Sequence, residues 1–273
     1  MEKYLKRIAD SLERAFPLKP NNSFFEKSAA FIWDPDQNYY TQVTNVQTVD
    51  ISLLRGMDQE IEQVRLNTQA FINGNLANNV LVWGARGMGK STLIKSVVMA
   101  ACSMSDSLKI IEVARDDIGQ VAKLLKTIRN LNKKFIIFCD DISFDDNETS
   151  YKSLKSFLDG GLIGGAQNIL IYATSNRRHL LSRKTGNNSD FMRWEEELDE
   201  RLSISDRFGV SIGFYECDQN LYLEIVRSYA KSFGIDIPIK ELERRAIEWQ
   251  VQRGSRSGRV AKQFIVSLLS SYE

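Results

Sequence analysis

Residues 79–92 read NVLVWGARGMGKST: an apolar run stops at Gly84, four residues follow, and then come Gly89, Lys90 and Ser91. This satisfies the spacing G-x-x-x-x-G-K-[ST], with a strand predicted before it and a helix predicted from about Lys90. Few loops are so constrained. Backbone N–H groups that curl around an anion tolerate no bulky side chains, and Gly84, Gly87 and Gly89 supply the close approach and the unusual dihedrals. The helix N-terminus adds partial positive charge at the same point. The expected phosphate-binding residues are therefore Gly84, Ala85, Arg86, Gly87, Met88, Gly89, Lys90, Ser91 and Thr92. Lys90 is expected to reach the β- and γ-phosphates of a nucleotide, and Ser91 to give an oxygen to Mg²⁺.

Four further strand-like runs follow: LKIIEVA at 108–114, KFIIFCD at 134–140, NILIYAT at 168–174 and VSIGFY at 210–215. Amphipathic stretches separate the early runs, clearest at Thr92 to Met104 and Ile118 to Leu131, and a helix is expected over about Met57 to Phe71. Buried strands alternating with helices imply an α/β fold with a parallel sheet covered on both faces. Beyond Tyr215 the strand signals stop, and residues 218–273 read as helices. Residues 17–50 are weakly patterned and broken by Pro17, Pro20 and Pro35, although aromatics such as Phe24, Phe25, Phe31, Trp33, Tyr39 and Tyr40 argue against a disordered linker. The chain is accordingly divided into an N-terminal helix and irregular extension (1–50), an α/β core (51–216) and a helical lid (217–273).

Composition narrows the chemistry. With 43% hydrophobic and 26% charged residues and a net charge of +1, the chain has material for a core and no overall bias towards nucleic acid or membrane. His179 is the only histidine, which excludes catalysis built on several histidines. Cys102, Cys139 and Cys217 are widely spaced and are expected to be buried free thiols, as suits a reducing cytoplasm. The N-terminus lacks the apolar centre of a signal peptide; Tyr4, Leu5, Ile8, Leu12 and Phe16 instead predict an amphipathic helix. No segment approaches the roughly 18 apolar residues of a membrane span.

The run FIIFCDDISF ends in an acidic pair at the carboxyl edge of its strand, where ligands of open α/β sheets collect. Asp140 is assigned to Mg²⁺ and Asp141 to the attacking water. Asn176 ends the fourth run; if that strand lies between the first and the third, Asn176 sits beside the γ-phosphate and is expected to hold the water. Arg207 precedes the fifth run, and Arg256 and Arg259 start the last helix; arginine is the side chain that stabilises charge spreading over a transferring phosphoryl group.

Phosphate loop, acidic pair, polar strand end, SDRF arginine and lid GR pair occur in the order seen in AAA+ ATPases, and the chain resembles them from about Ile51 onwards. The stretches NNVLVWGARGMGKSTLIK, FCDDISF, LIYATSNRRHL, LSISDRFGVSIGFY and SGRVAKQF closely resemble the bacterial ATP-binding family of domain of unknown function 815. The resemblance implies a five-stranded parallel sheet of order 5-1-4-3-2, with nucleotide between core and lid. It implies Asn176 as the first sensor, Arg207 as a finger acting on a neighbouring subunit's nucleotide, and Arg259 as the second sensor, with Arg256 as the alternative. Leu54, Gly56 and Met57, in LLRGMDQEI, match the region lining an adenine pocket. The pair is Asp-Asp where most AAA+ proteins have Asp-Glu, and ARDDIGQ replaces the aromatic loop of protein-threading machines.

The expected function is a Mg²⁺-dependent, homo-oligomeric ATPase that binds ATP and ADP and remodels or loads a macromolecular partner. A slow or non-hydrolysing ATP switch is the alternative, and a P-loop small-molecule kinase ranks below both. The partner is expected to be protein rather than nucleic acid, because the basic stretch NRRHLLSRK (176–184) is followed by the acidic WEEELDE (194–200).

Overall fold

The structure is a computed structural model that describes residues 4–5, 20–142, 154–155, 158, 166–176 and 206–270. The expected N-terminal helix, apart from Tyr4 and Leu5, lies outside the described residues, as do His179, the acidic run 194–200 and all of the basic stretch except Asn176. Helix α1 (Asn22–Phe25) is capped by Asn21, whose side chain accepts from the Phe24 amide at 3.0 Å. Strands β1 (Ala30–Asp34) and β2 (Tyr39–Val43) pair antiparallel as a hairpin. After a 3₁₀ turn at Ile51–Leu53 come α2 (Asp58–Ile72), β3 (Val80–Gly84), α3 (Lys90–Met104) and β4 (Leu108–Val113). A second 3₁₀ turn at Arg115–Gln120 leads to α4 (Val121–Ile128), β5 (Lys134–Cys139), β6 (Ile169–Ser175) and β7 (Val210–Phe214). Helices α5 (Gln219–Ser232), α6 (Ile239–Arg253) and α7 (Gly258–Leu269) complete the chain.

Among the described residues all seven strands join one sheet of order β2-β1-β4-β5-β6-β3-β7. This corrects the expected five-stranded, purely parallel sheet. The hairpin extends the sheet beyond β4, with β1 parallel to β4 and β2 antiparallel at the edge. The remaining five strands are mutually parallel and stand in the neighbour order β7-β3-β6-β5-β4. The hairpin occupies part of the segment expected to be irregular. Its β2 strand buries only Tyr40 of five residues, and Pro35 lies in the connecting turn, so neither strand carries the long apolar run that marks a central strand.

Alternate side chains along the strands point to opposite faces, and both faces are covered. Val80, Val82, Ile110, Ile136 and Tyr172 pack with α2, α3 and the three C-terminal helices in one core. Leu81, Ile111, Ile137, Ile171 and Ala173 pack with α4, α1 and the hairpin in another. In that second core Phe25 meets Phe31, Tyr40 and Phe135 edge-on at ring-centroid separations of 4.9 to 5.4 Å. The Tyr40 hydroxyl pairs with Thr127 on α4, and Trp33 is 1% exposed. The three cysteines are free and buried, and burial pushes the Cys139 thiol up to about 12. Among the described residues no helix is long and apolar enough to cross a membrane.

The hairpin is thus part of the core. Trp33→Ala is expected to cost roughly 3–5 kcal/mol in urea unfolding, as a buried aromatic truncation does. Tyr39→Ala, at a position 46% exposed, is expected to stay within about 0.5 kcal/mol of the parent.

Candidate functional site

The carboxyl ends of β3, β5, β6 and β7 converge on a cavity of about 760 Å³ closed on its far side by α5 and α7. Each wall follows from local sequence. Strand β3 ends at Gly84 with φ 128°, and a Cβ there would lie 1.9 Å from the Phe214 carbonyl oxygen. No other residue fits at that position. The neighbouring Ala85 amide donates to the same oxygen at 3.0 Å, so the loop leaves the sheet pinned to β7. Gly87 and Gly89 also hold left-handed dihedrals, φ 77° and 91°, and Gly89 is the N-cap of α3.

Lys90 is buried, and its Nζ donates to three oxygens: Gly84 O at 2.9 Å, Ala85 O at 2.8 Å and Asn176 Oδ1 at 2.9 Å. Burial pushes the Lys90 ammonium below its ordinary value, opposed by the Asp141 and Asp140 carboxylates nearby. Asn176 bridges: its Oδ1 accepts from Lys90 while its Nδ2 donates to Asp141 Oδ1. An ammonium has only donors and a carboxylate only acceptors, which fixes the orientation of the amide between them. The Ser91 hydroxyl donates to Asp140 Oδ1. Ser91 and Asp140 both line the cavity, and paired hard oxygens of this kind suit Mg²⁺, with phosphate and water completing the shell. Among the described residues no group of three or more His, Cys, Asp or Glu side chains forms a metal site by itself.

The other expected residues divide. Arg86, Gly87, Met88, Gly89, Thr92 and Arg259 line the cavity, as do Leu54, Gly56 and Met57. Gly84 and Ala85 contribute through their carbonyls to Lys90. Gly56 has φ 71°, and a Cβ there would lie 2.5 Å from Leu221 on α5. Arg259 also ties lid to loop: its amide donates to the Gly87 carbonyl at 3.1 Å, and a Cβ on Gly87 would lie 2.8 Å from the Ser257 hydroxyl. Arg207, in the turn before β7, is not among the lining residues, and neither is Arg256, whose Nε donates to Gln250 at 2.8 Å. Sequence reasoning missed Thr174, which bonds both acids, and the apolar lid residues Leu221, Ile225 and Tyr229. The lid residues carried a signal in their helical spacing. Thr174 carried none, because its partners lie more than thirty positions away.

The model of the family described as Protein of unknown function (DUF815) matches residues 26–272. The chain belongs to this family. No curated protein matches it. Among solved structures, a Thermotoga maritima RuvB variant is 16% identical with TM-score 0.50, covering 79% of this chain and 73% of that one. AMPPCP-bound DnaA from Aquifex aeolicus is 16% identical with TM-score 0.52, covering 76% and 60%. Identities this low speak to the fold alone: this DUF815 chain has the α/β fold of AAA+ ATPases.

The loop geometry makes a sharp comparison between two glycines. Gly84→Ala is expected to lose more than ~3 kcal/mol in urea unfolding, because backbone blocks the new methyl. Gly74→Ala, at φ 80° with nothing within 4 Å, is expected to lose only about 1 kcal/mol of dihedral strain.

Proposed function

We propose that this chain binds ATP with Mg²⁺ between core and lid and hydrolyses it, working as an oligomer that couples nucleotide state to a macromolecular partner. The observation that carries the reading is Lys90: a buried cation at the mouth of a glycine loop, held by two backbone carbonyls and one amide oxygen. All three acceptors are neutral, and polyphosphate oxygens are stronger partners for the ammonium.

The roles follow from placement. Amides of the loop and the first turn of α3 cradle the phosphates, and Lys90 turns from its carbonyls to the β- and γ-oxygens. Ser91 and Asp140 hold the metal, which supplies neutralisation of charge on the phosphate oxygens. Asp141 orients the attacking water, with Asn176 fixing the carboxylate. Arg259 reaches the γ-phosphate from the lid, and Arg207 serves a neighbouring subunit's site. Leu54, Gly56, Met57, Leu221, Ile225 and Tyr229 offer the base an apolar pocket. Buried free thiols favour a reducing compartment such as the cytoplasm.

A second reading, a slow ATP-bound switch, is favoured by Asp141 itself. It is one methylene shorter than glutamate, its backbone is left-handed at φ 51°, and its carboxylate is tied to Asn176.

Calorimetry with Mg²⁺ and ATP is expected to show saturable heat that Lys90→Ala abolishes; no heat in the parent chain contradicts ATP binding. Phosphate release of about 1 s⁻¹ or more, a typical enzyme rate, lost in Asp141→Asn, supports hydrolysis over the switch. A rate per subunit that rises with protein concentration and falls in Arg207→Ala is expected from the trans finger. Indifference to both contradicts that role.

A further inference from the structure

The acidic turn after β5 hangs on one buried hydroxyl. Thr174 lies on β6, 1% exposed. Its Oγ1 donates to Asp140 Oδ1 at 2.5 Å and accepts from the Asp141 amide at 2.8 Å. Its carbonyl accepts from the Ile142 amide at 2.8 Å. Three consecutive residues of the turn are therefore pinned to one residue of the neighbouring strand. The hydroxyl uses its single proton on one acid and a lone pair on the backbone of the next.

Two consequences follow. Asp140 Oδ1 receives hydroxyl protons from both Ser91 and Thr174, so rotation of that carboxylate is fixed from two sides. Asp141 holds φ 51°, a left-handed conformation that aspartate tolerates and that local bonds restrain here. The bond from its amide to Thr174 is one such restraint, and the bond from Asn176 to its carboxylate is the other. Valine has the shape of threonine without the hydroxyl; it would leave the Asp141 amide without this acceptor and Asp140 short of a donor.

We propose that Thr174 is a positioning residue whose hydroxyl sets the directions of the two acids, aiming Asp140 at Ser91 and Asp141 at Asn176. The proposal rests on the ATP and magnesium reading above and adds to it a residue that acts through the two acids.

The test compares the full-length chain with Thr174→Val and Thr174→Ser. ATP affinity is measured by calorimetry in EDTA and again in Mg²⁺, and kcat and KM are measured separately. In the parent, Mg²⁺ is expected to strengthen binding. In Thr174→Val, affinity in EDTA is expected to stay within about twofold, because the phosphate loop is untouched. The gain from Mg²⁺ is expected to shrink roughly tenfold, and kcat to fall roughly 10- to 100-fold, the usual range for lost outer-shell support. Thr174→Ser keeps the hydroxyl and is expected to stay within about threefold of the parent on every measure. The proposal is overturned if Thr174→Val loses thermal stability but keeps the magnesium gain and kcat. It is overturned equally if Thr174→Ser falls to about a tenth of the parent's magnesium gain, a result that needs no folded valine variant. A parent chain that binds no ATP in either buffer removes the ATP reading and this proposal together. A parent that binds while the valine variant matches it removes this proposal alone.

Discussion

A buried ammonium group organises this molecule. Lys90 is 6% exposed, and an unpaired charge at that depth is costly. All three of its protons are used, on Gly84, Ala85 and Asn176. Gly84 and Ala85 are adjacent at the junction of β3 and the loop, and Asn176 lies just past β6, so one side chain from the first turn of α3 ties the loop to the end of the neighbouring strand. The requirement runs outward from there. Gly84 must be glycine for its carbonyl to reach Lys90 while the strand passes the Phe214 carbonyl. Asn176 must present oxygen to the cation and nitrogen to Asp141.

The lid is fastened to the same apparatus. Gly87 meets Ser257 and Arg259 at one end of the cavity, and Gly56 meets Leu221 at the other. Arg55 adds a bond to Ser228 on α5 at 3.1 Å. Core and lid also share apolar packing, since Tyr222, Ile225 and Phe264 belong to the same cluster as Val80, Leu93 and Ile110. A ligand that changes the loop therefore acts directly on the helices above it. Under the proposed function, contacts of this kind on both sides of one cavity would carry nucleotide state to the helices above it.

Much of this was legible in the sequence because it is local. Each two-sided buried strand shows as a continuous apolar run, and the phosphate loop spans fewer than ten residues with its glycines at fixed offsets. What escaped depends on pairing across the sheet. The hairpin AFIWDPDQNYYTQV mixes buried Trp33 and Tyr40 with exposed Ile32 and Tyr39, and its turn is closed by Asn38 in a left-handed conformation rather than by glycine. Thr174 reads in sequence as any polar residue at a strand end; the strand order alone does not single it out, and it is the register of β6 on β5 that brings its hydroxyl to Asp140 and Asp141. Arg207 differs again: its assigned role needs a second copy of the chain, and neither sequence nor single subunit supplies one.

Under the proposed function, Lys90 trades backbone carbonyls for phosphate oxygens. A crystal structure with Mg²⁺ and a non-hydrolysable ATP analogue tests it most directly. The Lys90 ammonium is expected within hydrogen-bonding distance of the β- and γ-phosphates, released from Gly84 and Ala85, with the polyphosphate wrapped by the amides of residues 85–91. A polyphosphate bound elsewhere, or one lying in the loop while Lys90 keeps all three of its present acceptors, contradicts it.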